Sequence, residues 1–279
     1  MPSIRDQKST SAPSVFQPSA LLREARRQKG LAAIDVPAVC VLDPDGDVVR
    51  HLQRTNAASR FADWACYHTD LYTFALAGET AGIVGCAVGA PFAVLVAEEL
   101  FASGCRLLIS LTSAGQIVPA GDPPYFVVID RALRDEGTSH HYLPPSEFSE
   151  ADGGLISLAT RALQDVAKVA VGASWTTDAP FRETADAIAA ARAKGALAVE
   201  MESAGLYAFA RASGHGVLCL AHVTNSMGQA GDDFEKGEAD GSLSSLAVLA
   251  AIADAFRRRE GDSAAAQPPG AADTAPTCP

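Results

Sequence analysis

The chain has 279 residues, of which 48% are hydrophobic, 20% charged and 6% aromatic, enough apolar mass for a sizeable core and too much for a wholly disordered chain. Its formal net charge of −11, from 33 acidic against 22 basic residues, excludes the classes of protein that need clustered cations, those that track nucleic-acid phosphates or sit on an anionic membrane. Local arginines or backbone amides can still hold a small anion.

In chain order, residues 1–15 are rich in Ser, Pro and charge and read as a disordered arm. A helix is expected over 19–29 and a strand over 37–42, followed by the turn sequence Asp43-Pro44-Asp45-Gly46-Asp47. The longest apolar stretch, 81–97, contains Gly82, Gly85, Gly89 and Pro91 and runs into Glu98-Glu99. It reads as a strand over 81–87, a glycine turn and a helix over 91–103 rather than a membrane span. Strands are expected over 106–111, 125–130, 168–174, 196–200 and 217–224, short and continuously apolar, as strands covered on both faces should be. Between and after them lie helical patterns over 154–167, 183–194, 202–213 and 242–259, the last ending in Arg257-Arg258-Arg259 where cations suit the helix dipole. Residues 261–279 have too little apolar mass to pack and read as a disordered tail. The expected architecture is therefore one α/β domain over 16–260, a central, mostly parallel or mixed sheet flanked by helices. Six cysteines form no C-x-x-C pair and most sit in apolar runs, as free thiols in a reducing compartment do; with no export-signal core in the first twenty residues, the expected location is cytoplasmic.

Sheets of this kind carry their chemistry at the carboxyl ends of the strands. There the sequence reads Thr112-Ser113-Ala114-Gly115-Gln116, Trp175-Thr176-Thr177-Asp178, Glu200-Met201-Glu202-Ser203 and Thr224-Asn225-Ser226, small hydroxyls, amides and acids suited to a polar small-molecule pocket. Alternation turns Glu200 and Glu202 to the same side, where a carboxylate can hold a vicinal diol such as a ribose 2′,3′-OH pair; the other reading makes one of them a helix-start acid. Thr176-Thr177-Asp178, with Pro180 in the next turn, serves equally as a helix cap or as a pocket wall. Adjacent His140 and His141 are poorly placed to chelate one ion, and no metal or organic cofactor is expected.

The run Ala198-Val199-Glu200-Met201-Glu202-Ser203-Ala204 resembles the nucleoside phosphorylase superfamily, which contains uridine phosphorylase, hexameric purine nucleoside phosphorylase and the methylthioadenosine nucleosidases. Val15-Phe16, Asp43-Pro44, Glu98-Glu99-Leu100, Gly121-Asp122, Asp130-Arg131-Ala132 and Glu136-Gly137-Thr138-Ser139 agree in order, over roughly residues 16–255. The uridine phosphorylase branch is nearest, because Val223-Thr224-Asn225 carries Asn where the purine enzymes and nucleosidases carry an acid; Asn225 can orient a base but cannot protonate it. The resemblance implies that Glu202 holds the ribose hydroxyls, that Met201 and Glu200 line the sugar, and that Phe181, Thr176 and Thr177 border the base within reach of Arg182. It implies anion contacts from Ser113 and Gly115, and a homo-oligomer built from dimers, up to a hexamer, in which Gln17 of one subunit reaches its neighbour's ligand.

This sequence departs from the family where phosphate is held. The arginines expected there are replaced by Gly46, by Thr73 or Phe74, and by Ser110, while Asp45 and Asp47 add negative charge. Asp45 or Asp47 is accordingly offered as the group that activates water. The expected function is cleavage of the N-glycosidic bond of a nucleoside or nucleoside-like molecule, with water favoured over inorganic phosphate as acceptor. The alternatives are a uridine-type phosphorylase with a relocated phosphate site and a weakly catalytic nucleoside-binding protein.

Overall fold

The computed structural model describes residues 9–226 and 238–265. Their elements run α1 (Pro18–Lys29), β1 (Val39–Asp43), α2 (Asp47–Arg54), β2 (Ala58–Arg60), β3 (Tyr72–Leu76), β4 (Glu79–Gly85), α3 (Ala90–Phe101), β5 (Leu107–Gln116), β6 (Tyr125–Asp135), β7 (Phe148–Glu150), α4 (Gly153–Leu163), β8 (Val169–Thr177), α5 (Ala185–Ala193), β9 (Ala196–Glu200), α6 (Ser203–Ser213), β10 (Gly216–Ser226) and α7 (Ser242–Ala265). All ten strands join one sheet, in the order β10-β6-β8-β9-β5-β1-β4-β3-β2, with β7 on β6. A further pairing of β10 with β5 closes five of these strands on themselves, because the first part of β5 lies between β1 and β10 while Gly115 and Gln116 at its end also meet β9. The sheet is mixed: β1, β4, β5 and β10 run parallel, and β9 meets β5 antiparallel.

Strand alternation distributes the core between the two faces. On β1, Cys40 and Leu42 pack toward the side carrying α3 and α6, while Val39 and Val41 pack toward the side carrying α2, α4 and α7. Tyr207 of α6 is fully buried and ties the layers through its hydroxyl, which donates to Ile129 O of β6 at 2.6 Å and accepts from Cys219 N of β10 at 2.9 Å. α7 is long and apolar enough to cross a membrane by length and composition, but here Val248, Leu249, Ile252, Ala253 and Phe256 are buried against the sheet and α4.

Every strand and helix expected from the sequence is present. Three short strands and α2 were not expected. β2 and β7 have three residues each, and β3 is an edge-side hairpin strand whose apolar run is interrupted by exposed Ala75. α2 begins inside the acidic turn and spans only two turns, with Val48, Val49 and Leu52 buried. β5, β6, β8 and β10 run past their apolar stretches into polar residues. α7 continues to Ala265, beyond the expected end of the domain at 260; residues 1–8, 227–237 and 266–279 lie outside the described residues, as does Cys278. Of the described cysteines, Cys40, Cys66, Cys105 and Cys219 are buried free thiols and Cys86 is exposed.

Replacing Tyr207 with Phe leaves Cys219 N–H without its buried partner. Urea denaturation of Tyr207→Phe is expected to show a loss of about 1–3 kcal/mol, with an unchanged denaturant slope.

Candidate active site

The carboxyl ends of β1, β5, β8 and β9 bring several acids to one edge of the sheet, and each is held differently. Glu200 closes β9. Its Oε1 accepts from Ser174 Oγ at 2.9 Å and from the Thr176 hydroxyl, both on β8. Its Oε2 accepts from the backbone N–H groups of Glu202 at 2.8 Å and Ser203 at 2.7 Å. Glu200 therefore satisfies the first amides of α6, while Thr176 accepts from Ala204 N at 3.0 Å and adds a second tie between β8 and that helix. Glu200 is therefore the helix-start carboxylate, and the amides at the start of α6 go to it rather than to Glu202.

Glu202 is 1% exposed. Its Oε1 accepts from Gly89 N at 2.7 Å, across the gap to the start of α3, and its Oε2 accepts from Met201 N at 3.3 Å. Close helix contact makes this reach possible: a Cβ on Gly205 of α6 would lie 2.8 Å from Ala90 Cβ of α3. Burial, then the nearby charge of Glu200, and to a smaller degree that of Asp45, push the Glu202 carboxyl up to about 8 against the relief from Gly89 N–H.

Asp43, Asp45 and Asp47 share the turn after β1. Asp43 is buried and accepts from Gly46 N at 3.1 Å and Val49 N at 2.8 Å; burial, opposed by these bonds and reinforced by the charges of Asp45 and Asp47, raises it to about 6. Asp45 reaches β5, where its Oδ2 accepts from Ser113 N at 2.6 Å and Ser113 Oγ at 2.8 Å. Asp47 pairs with Arg50 at 2.7 Å, and the same guanidinium donates to Asp45 O at 2.6 Å. Gly46 has φ +77°, and a Cβ there would lie 2.6 Å from both Arg50 Nη1 and Cys86 Sγ.

The structure thus brings Asp45, Ser113, Glu200, Met201, Glu202 and Thr176 together. Gly115 lies on β5 opposite Val199 and Asn225; Asn225 contributes its backbone to β10, and its side chain lies outside the described residues. Thr177 is buried, its hydroxyl oxygen accepting from Ala179 N at 3.3 Å. Phe181 is 98% exposed on a short 3-10 turn, Pro180–Arg182, where Arg182 is also exposed. Gln17 precedes α1 and donates from its amide to Ser14 O at 2.5 Å. Thr73 and Ser110 lie on β3 and β5, Ser110 buried. Two members of the site were not anticipated as such, Asp43 and the amide of Gly89; the glycine turn at 89 was visible in the sequence, but its reach to a residue 113 positions away was not. Among the described residues no cluster of three His, Cys, Asp or Glu side chains is placed to hold a metal ion.

The phosphorylase superfamily matches residues 38–256, most of the chain and all of these strand ends. The chain belongs to that superfamily. It is accordingly an enzyme of glycosidic-bond cleavage. Among solved structures it is similar to uridine phosphorylase from Vibrio fischeri ES114, at 21% identity and a TM-score of 0.67 over 80% of this chain and 95% of that one. It is also similar to the same organism's uridine phosphorylase complexed with 6-hydroxy-1-naphthoic acid, at 20% identity and a TM-score of 0.66 over 82% and 92% of the two chains. At these identities the likeness establishes the shared fold.

The raised Glu202 carboxyl has a stability consequence of definite sign. Between its ordinary value of 4.5 and about 8 the unfolded chain has released this proton while the folded chain keeps it, so stability from this group falls as pH rises through that window and levels off above it. Glu202→Gln removes the effect. Melting temperatures of the two proteins are expected to converge at the acidic end, with the variant progressively the more stable toward pH 8; parallel curves would contradict the assignment.

Proposed function

We propose that this superfamily member cleaves the N-glycosidic bond of a nucleoside or nucleoside-like substrate, with water as the favoured acceptor. The observation that carries the substrate class is the placement of Glu202: a buried carboxyl group just beyond a strand end, with one backbone N–H on each oxygen, whose remaining lone pairs could accept from two adjacent hydroxyls. A ribose 2′,3′-diol fits that demand, and Met201 beside it would line the sugar. Phe181 and Arg182, on the exposed turn, would close over the base, and Asn225 would orient it.

In this reading the C1′–N bond breaks with its electron pair staying on the base nitrogen, through an oxocarbenium-like sugar. A water oxygen forms the new bond to C1′ from the opposite face. Asp45 or Asp47 orients that water and takes its proton, which passes to solvent, while the departing base takes a proton from solvent; free sugar and free base result. Support for water comes from the acceptor side of the site. Gly46, Thr73 and Ser110 stand where the family resemblance expects arginines, and Arg50, just after the acidic turn, pairs with Asp47. Phosphorolysis through a relocated site is the second reading, favoured by the likeness to uridine phosphorylases and by the presence of Arg50 in the same turn. We further place the enzyme in the cytoplasm as a dimer-based homo-oligomer, with Gln17 reaching a neighbouring subunit's site; the support is the exposure of Val15 and Phe16 beside it.

A nucleoside panel assayed with and without phosphate tests the proposal. Base release without phosphate is expected, and Glu202→Ala should lose at least about a hundredfold in kcat/KM, the size of a charge-assisted pair of hydrogen bonds. Binding without release would make the chain a nucleoside-binding protein, and near-normal turnover by Glu202→Ala would remove Glu202 from the site.

A further inference from the structure

We propose that Asp45 is a tethered anion that fills the acceptor cradle of this site and excludes inorganic phosphate from it; the consequence for the acceptor rests on the glycosidic reading above. Two donors of one residue, the backbone N–H and the hydroxyl of Ser113, converge on a single oxygen, Asp45 Oδ2, at 2.6 and 2.8 Å. Donors that converge in this way at a strand end make a small anion site, because both point at the same region of negative charge. Here the negative charge belongs to the chain.

The turn that delivers this carboxylate is fixed at several points. Gly46 N donates to Asp43 O at 2.9 Å, closing a four-residue turn with Pro44 at its second position and Asp45 at its third. The carboxylate of Asp43 holds Gly46 N and Val49 N, and Arg50 holds the carbonyl of Asp45. A group presented by so constrained a loop competes as an intramolecular ligand, at an effective concentration on the order of millimolar or above, against any free anion. A dianion that displaced it would also meet the charge of Asp45 itself, a few ångströms away.

The cation beside the turn, Arg50, already has partners on the chain itself. It pairs with Asp47, and a side chain at Gly46 would have to adopt a left-handed backbone and shift Arg50 Nη1 and Cys86 Sγ, each 2.6 Å from the Cβ position. Asp45 is thus the residue that determines the acceptor: water, small and neutral, can approach C1′ beside the carboxylate, and phosphate cannot occupy the Ser113 donors.

Titration with inorganic phosphate, followed by calorimetry and by phosphorus NMR line width, tests this directly. The wild-type protein should show no saturable binding at millimolar phosphate. Asp45→Ala should bind at least about tenfold more tightly, the size of one close like-charge contact, and the gain should vanish in Asp45→Ala/Ser113→Ala. Should Asp45→Ala fail to fold by circular dichroism, Asp45→Asn, which keeps the shape and an acceptor without the charge, decides the matter in the same direction. Wild-type binding as tight as that of the variant, or efficient formation of sugar 1-phosphate by the wild type, would overturn the proposal. If no nucleoside is cleaved by any of these proteins, the glycosidic reading fails, while the phosphate titration still decides whether Asp45 occupies the cradle.

Discussion

One buried carboxylate organises the active edge of this enzyme. Glu200 accepts two hydroxyl hydrogen bonds from β8 and two backbone N–H bonds from the start of α6, so its charge is met on every side by donors. Buried polar groups need such partners, because an unsatisfied one carries the full cost of leaving water. The same four bonds fix the angle at which α6 leaves the sheet. Because Glu202 is the N-cap of α6 and its own N–H is held by Glu200, Glu200 also fixes the backbone from which the Glu202 side chain reaches Gly89 N.

Glu202 inherits from this arrangement a position in which its charged form is costly. It lies beside a second carboxylate, is nearly fully buried, and is opposed only by the amide of Gly89 and a longer contact from Met201 N. Burial and the Glu200 charge therefore keep its proton on to about pH 8. A ligand that donates two hydrogen bonds relieves this, since donors stabilise the charged form. The separation of roles between Glu200 and Glu202 follows from the same geometry: two acids on one side of an alternating segment cannot both be saturated by the helix start, and the one nearer the strand takes the amides.

Much of this was legible in the sequence, for identifiable reasons. The seven buried strands are continuous apolar runs between glycine or polar breaks, a pattern set by burial on both faces, and they emerged with boundaries extended mainly at their polar ends. The pair Glu200 and Glu202 stood out because two acids directly after an apolar strand contradict the core pattern. The short helix α2 was hidden because its first residue belongs to a turn sequence and its eight residues carry only one apolar cluster, Val48, Val49 and Leu52. The partners of Glu202 and Asp45 were hidden for a different reason. Gly89 and Ser113 are 113 and 68 residues away from the acids they bind, and only the closed sheet and the close approach of α3 to α6 bring them together. Likewise, the sequence offered Thr176 equally as a helix cap or a pocket wall, and its bonds to Glu200 and to Ala204 N of α6 join residues 24 and 28 positions away.

The acidic turn shows how a local backbone constraint determines chemistry at a distance. A turn that carries three aspartates in five residues would repel itself if all three faced the same space. Here they diverge: Asp43 turns inward to the amides of α2, Asp47 pairs with Arg50, and Asp45 alone crosses to β5. The divergence depends on Gly46, whose φ of +77° reverses the chain direction between Asp45 and Asp47. A residue with a side chain at this position would have to adopt a left-handed conformation and displace both Arg50 and Cys86. The absence of arginine at Gly46 is therefore tied to the conformation that carries Asp45 to Ser113, and a cation could not be restored there without remaking the turn. At this one position of the turn, then, the lack of a side chain and the path that carries Asp45 to Ser113 are two aspects of the same left-handed glycine.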